Sequence, residues 1–120
     1  MRPIDLEALL IGLIGQQLDR FASTDVPAGR TEFYRLYRIG GPRYNLVQSA
    51  VRVMFEAWSD KDAWDWAADL YELVDGLNYD PQGLPIAEVT ELTDPVYNPD
   101  AKTNIARYHF IATFTTDMEN

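Results

Sequence analysis

Few residues in this chain could do bond-making chemistry. His109 is the single histidine and there is no cysteine. A Ser-His-Asp triad or a histidine general base would have to be built on His109, which sits between Tyr108 and Phe110 in a run that alternates like a strand. A place on a sheet face accounts for it without catalysis. Disulfides and thiolate metal sites are excluded, and one histidine leaves a metal only carboxylate oxygens. Asp62, Asp65, Asp69 and Glu72 recur as the solvated stripe of a helix would, with no calcium-loop pattern. Neither glycine-rich phosphate-cradling pattern occurs. These residues point to no catalytic, cofactor or metal site, and a small-molecule binding or enzyme domain would have to use the aromatic cluster and carboxylates as a pocket. What remains is the chemistry of contact: Trp58, Trp64 and Trp66 close together, and Arg35, Arg38, Arg43 and Arg52 around two strand-like runs.

The elements that must position these residues follow from length and periodicity. A chain of 120 residues with 47% hydrophobic content is one domain with one core. Leu6, Leu9, Leu10, Leu13 and Ile14 give Ile4 to Leu18 the spacing of an amphipathic helix, in which Gly12 and Gly15 would permit close approach to a sheet. Phe21 to Arg30 has loop composition, with a short extended piece at Val26. Glu32 to Ile39 reads as a strand, ended by Gly40, Gly41 and Pro42, and Ser49 to Trp58 alternates cleanly enough to be its antiparallel partner. Ser59 and Asp62 resemble a capping box before a helix from Lys61 to Leu77, whose apolar stripe is Ala63, Trp66, Ala67, Leu70, Val74 and Leu77. Ile86 to Thr93 reads as a third strand, Asp94 to Asn104 as a long polar loop, and Ile105 to Thr116 as the longest strand. The expected fold is α+β: a four-stranded, mostly antiparallel sheet with two helices on one face, in the order α-β-β-α-β-β.

Ten basic against nineteen acidic side chains give a net charge of −9, which argues against affinity for a phosphate backbone. The apolar run Leu9 to Gly15 is too short to span a bilayer and is flanked by Asp5, Glu7 and Asp19, so no membrane segment or signal peptide is expected. Trp58 and Trp66 suit the core, whereas Trp64 falls off the apolar stripe and, if exposed, suits a subunit contact. Strands bearing arginines and a helix bearing acids are complementary patches of the kind a head-to-tail ring uses.

Taken in order, the N-terminal helix, a strand ending in Arg38-Ile39-Gly40-Gly41, a strand ending in Glu56-Ala57-Trp58, a helix with Ala63, Ala67, Leu70 and Val74, and a last strand Arg107-Tyr108-His109-Phe110 after a Pro/Asp-rich loop carry a likeness. The sequence resembles the tail terminator (tail-completion) proteins of long-tailed bacteriophages, notably those of phages infecting actinobacteria. The resemblance covers nearly the whole chain through order and spacing rather than any one motif. It implies a structural virion protein of the tail-neck region, assembled in the host cytoplasm as a homohexameric ring on the head-proximal end of the tail tube. There it would stop tube polymerisation and join the tail to the head-tail connector or stopper protein, while genome DNA passes through the lumen without sequence-specific binding. No enzymatic activity, cofactor or membrane goes with the family. On this reading the subunit interface takes Arg35, Arg38 and Arg43 on one side and Trp64, Asp65 and Asp69 on the other. Tyr97, Asn98, Asp100 and Lys102 would face the tail tube protein or the connector. The alternatives are another neck component, the tail tube protein, or a small acidic interaction module with a basic partner.

Overall fold

The structure, a computed structural model, describes residues 2–43, 45 and 47–118. Its elements in chain order are α1 (Leu6–Leu18), β1 (Ala22–Ser23), β2 (Phe33–Arg38), β3 (Gln48–Trp58), α2 (Ala63–Gly76), β4 (Ile86–Leu92), β5 (Val96–Tyr97) and β6 (Arg107–Asp117). The two longest alternating runs, β3 and β6, pair antiparallel over their whole length from Gln48↔Asp117 to Trp58↔Arg107 and form the centre of the sheet. β2 and then β1 extend it on the β3 side, while β4 and β5 occupy successive stretches of the far edge of β6.

Both helices bury their apolar sides in one core. Leu6, Leu10, Leu13 and Ile14 of α1 and Ala67, Leu70 and Val74 of α2 meet Tyr34, Leu36, Val53, Phe55, Ala112 and Phe114. The register places these sheet residues on a single face, with Phe55 stacked on Phe110 at 5.1 Å between centroids. The other face carries Phe33, Arg35, Tyr37, Met54, Glu56, Trp58 and His109 and, among the described residues, has no helix over it.

The expected four-stranded, mostly antiparallel sheet is corrected: the sheet has six strands and is mixed, because β1 pairs parallel with β2 through Ala22↔Tyr34 and Ser23↔Arg35. The element order is therefore α-β-β-β-α-β-β-β. Both missed strands are two residues long and lie in stretches of loop composition, where no alternation can register. The extended piece falls at Ala22–Ser23 rather than at Val26. Gly12 and Gly15 are exposed, and a Cβ at either would meet nothing within 4 Å, so neither serves a close helix–sheet approach.

Helix starts follow local chemistry. Asp5 caps α1 by accepting the Ala8 N–H, and Ser59 Oγ accepts the N–H groups of Lys61 and Asp62 just ahead of α2 while donating to Glu32 Oε2. Side chains also close the sheet's edges. Glu7 Oε2 accepts the Arg38 N–H at the outer side of β2, and Asn78 Oδ1 accepts the Val89 N–H of β4. β4 further carries two register irregularities and exposed Glu88 and Glu91, all of which discourage strand addition. Among the described residues, no helix is long and apolar enough to cross a membrane.

Candidate functional site

One exposed patch of the surface is aromatic. Trp64 stands in the first turn of α2, one position after Ala63, so it projects beside the buried stripe and remains 54% exposed. Its ring meets Tyr108 edge-on at 5.3 Å, and Tyr97 meets the same Tyr108 at 5.2 Å. β5 makes this possible, because pairing Tyr97 opposite Tyr108 sets the two rings on one face. Val96 and Tyr97 are 53% and 55% exposed, which no core requirement explains.

Beside this patch an open cleft of about 560 Å³ runs between α2 and the chain after β4, lined by Trp64, Ala68, Tyr71, Glu72, Asp94 and Pro95. The Tyr71 ring packs edge-on against Phe110, and its hydroxyl lies 3.4 Å from Asp94 Oδ1. The Tyr71 hydroxyl is pushed up from its ordinary value by desolvation and then by the charges of Asp94 and Asp75. The cleft therefore has aromatic walls and a negative rim.

The segment after β5 is folded on itself rather than loose. Asp100 Oδ2 accepts from the Thr103 N–H and hydroxyl at 2.9 and 2.7 Å, and Arg107 Nε donates to the Asn98 carbonyl at 2.8 Å. These bonds to Thr103, with Arg107 nearby, hold the Asp100 carboxyl below its ordinary value. A depressed folded-state value means that the contribution to order is present at neutral pH and fades as pH falls through the ordinary aspartate range near about 3.9 and below. The Thr103 amide signal is expected to follow this titration with a midpoint below that of a free aspartate, and Asp100→Ala should abolish it while leaving β3 and β6 amides unmoved.

The residues expected at interfaces are distributed as follows. Trp64 and Tyr97, assigned to different contacts, share one patch through Tyr108. Asp65 is exposed nearby on α2, whereas Asp69 is engaged within the chain, 2.9 Å from Arg20. Arg35 lies on the open sheet face at 3.5 Å from Glu56, and Arg38 is on the helix side, donating to the Ile4 carbonyl. Arg43 sits at the far end of β3, bridged to Ser49, with its Nε donating to the Asn45 carbonyl. The three arginines thus form no single patch. Asn98 and Asp100 brace the turn after β5, and Lys102 is exposed on it. Tyr71, Asp94 and Val96 complete the site without having been singled out in the sequence, while Glu72 was read only as part of a solvated acidic stripe and Tyr108 only as part of the last strand; β5 brings Val96 and Tyr97 beside Tyr108. Among the described residues no group of three or more His, Asp or Glu side chains is placed to hold a metal ion.

The fold is two helices on a six-stranded mixed sheet, and its surface carries an exposed aromatic patch beside an open cleft. The chain matches no protein-family model and no curated protein.

Proposed function

We propose that this chain is a self-assembling structural subunit of the phage tail terminator type, forming a ring at the head-proximal end of the tail tube, ending tube growth and meeting the head-tail connector. The observation that carries the reading is the exposed Trp64–Tyr108–Tyr97 patch with Val96, on a chain in which Glu7 and Asn78 each take up one outward backbone N–H of the sheet. Aromatic side chains of this exposure are the anchors of protein interfaces, and closed edges direct assembly to side-chain surfaces instead of strand pairing. The order and spacing of elements from Arg38-Ile39-Gly40-Gly41 to Arg107-Tyr108-His109-Phe110 supply the resemblance to terminators. A net charge of −9 suits a ring whose lumen DNA must traverse without sticking.

Negative-stain microscopy of the purified chain, with molecular mass in solution measured alongside, tests this. Closed rings with a central hole wide enough for duplex DNA are expected. A strict monomer across the accessible concentration range, with or without preformed tail tubes, would remove the reading.

A further inference from the structure

We infer that the cleft beside Trp64 binds an extended, proline-rich segment of another protein that carries an arginine, with the prolines packed on Trp64 and Tyr71 and the arginine paired with Glu72 and Asp94. The inference goes beyond the ring-forming reading and does not depend on it, since neither Tyr97 nor Val96 lines the cleft. It begins with a second stripe on α2. Ala63, Ala67, Leu70 and Val74 are buried, and Trp64, Ala68 and Tyr71 recur beside them at the same helical spacing. Seven residues at about 1.5 Å each set Trp64 and Tyr71 about 10 Å apart along the helix axis. Ala68, between them, is too small to fill the space, and this gap is the floor of the cleft. A polyproline II segment repeats its face every three residues, about 9 Å, so successive prolines on one face reach successive rings. Such a segment is extended before it binds and loses little entropy in an aromatic-lined groove.

The arginine follows from charge. α2 holds Asp65, Asp69, Glu72 and Asp75 and no basic residue. Asp69 is engaged by Arg20, while Asp65, Glu72 and Asp75 are exposed. Glu72 from the helix and Asp94 from the chain after β4 line the cleft together, and no basic side chain among the described residues lines it. Two carboxylates between aromatic walls suit a guanidinium better than an ammonium, because its planar fork takes paired oxygens and its face stacks on a ring. The chain itself makes that stacking twice, with Arg107 over the Trp58 ring at 4.9 Å and Arg20 over the Trp66 ring at 4.5 Å.

Fluorescence anisotropy of a dye-labelled decaproline peptide ending in arginine, titrated with the full chain, tests the cleft. Binding is expected, and Ala68→Leu should weaken it about tenfold or more by filling the space between the rings. Glu72→Arg should weaken it by a similar factor, about tenfold, and should bind a decaproline peptide ending in glutamate better than the wild type does. Far-ultraviolet circular dichroism should stay unchanged in both variants, since neither Ala68 nor Glu72 belongs to the core and leucine and arginine are good helix formers. No binding of the arginine peptide at chain concentrations up to about 1 mM overturns the inference. Equal affinity for a glycine-serine peptide of the same length ending in arginine does so too, because the cleft is then a general cation binder. An Ala68→Leu variant that binds like the wild type places the peptide elsewhere, and peptide binding that is lost as the chain self-associates gives the cleft to a second copy; both overturn it. Each of these outcomes leaves the ring reading standing, whereas a chain that binds the peptide and never associates removes the ring alone.

Discussion

Gly41→Ala is expected to destabilise the fold by about 2–4 kcal/mol, far more than a single methyl group on an exposed turn ordinarily does. After β2 the chain continues beside β3 instead of leaving it: Ile39 donates to the Arg52 carbonyl, Arg52 to the Gly40 carbonyl and Ala50 to the Pro42 carbonyl. Gly41 therefore lies against the β3 backbone. A Cβ there would come within 2.1 Å of the Ala50 carbonyl oxygen, and its φ of +113° disfavours any L side chain. Because the obstacle is backbone inside a ladder, it cannot swing aside. Gly40→Ala is the control, since its φ is +104° but a Cβ would meet nothing within 4 Å, so strain alone acts and about 1–2 kcal/mol is expected. Urea denaturation of the two variants separates close approach from backbone strain; equal midpoints would mean that the approach to Ala50 does not matter.

That glycine also marks where sequence reading stops. Gly40-Gly41-Pro42 announces the end of a strand, but it does not reveal that the following residues still bond to β3. Strands with several alternating positions were legible, as in Val51, Val53, Phe55 and Ala57, because burial on one face imposes a period of two. Ala22–Ser23 and Val96–Tyr97 were not, since two residues have no period and their pairing is decided by β2 and β6, which are remote in sequence. Their omission hid the parallel pair and, with it, the six-stranded mixed sheet. It also hid the site, for only β5 carries Tyr97 to Tyr108 and so to Trp64. The exposure of Trp64 was different in kind: its offset from the Ala63, Ala67, Leu70 and Val74 stripe is a local property, readable from the helical period alone.

Charge was the least legible property. The spacing suggested arginines gathered on one side and acids on the other, yet pairing is a three-dimensional matter. Arg20 meets Asp69, Arg35 meets Glu56, Arg52 meets Glu91 and Arg107 meets Asp100, each across a long stretch of sequence or around a turn. Part of the basic charge is thereby neutralised within the chain, while exposed acids stand over much of the surface, Glu72, Asp94 and Asp65 among them near the aromatic patch. A solvent-exposed pair such as Arg52–Glu91 contributes about 0–1 kcal/mol to stability, so its consequence is less for folding than for the potential of the surface.

Tyr34→Phe is expected to cost about 2 kcal/mol at neutral pH, and its effect should vanish in alkali. Tyr34 is wholly buried, yet its hydroxyl is fully used: it donates to the Trp66 carbonyl at 2.6 Å and accepts from Arg20 Nη1 at 2.8 Å. Arg20 in turn reaches Asp69 and lies over the Trp66 ring, so one phenol ties β2 to α2 and to the segment after α1. Deleting the oxygen strands a guanidinium donor while leaving the ring packing intact, which sets the loss at that of a charged hydrogen bond. Burial raises the Tyr34 hydroxyl from its ordinary 10.0 to about 12, against the opposing pull of Arg20. With the folded value above the unfolded one, the stabilising contribution is complete below about pH 10 and is lost as pH rises toward about 12, at most about 3 kcal/mol. Urea midpoints of the wild type and Tyr34→Phe should therefore differ near about pH 8 and converge as pH approaches about 12. A gap that stays constant across that window would mean that the hydroxyl is not held protonated by the fold, and the network around Trp66 would have to be redrawn with the phenol exposed to water.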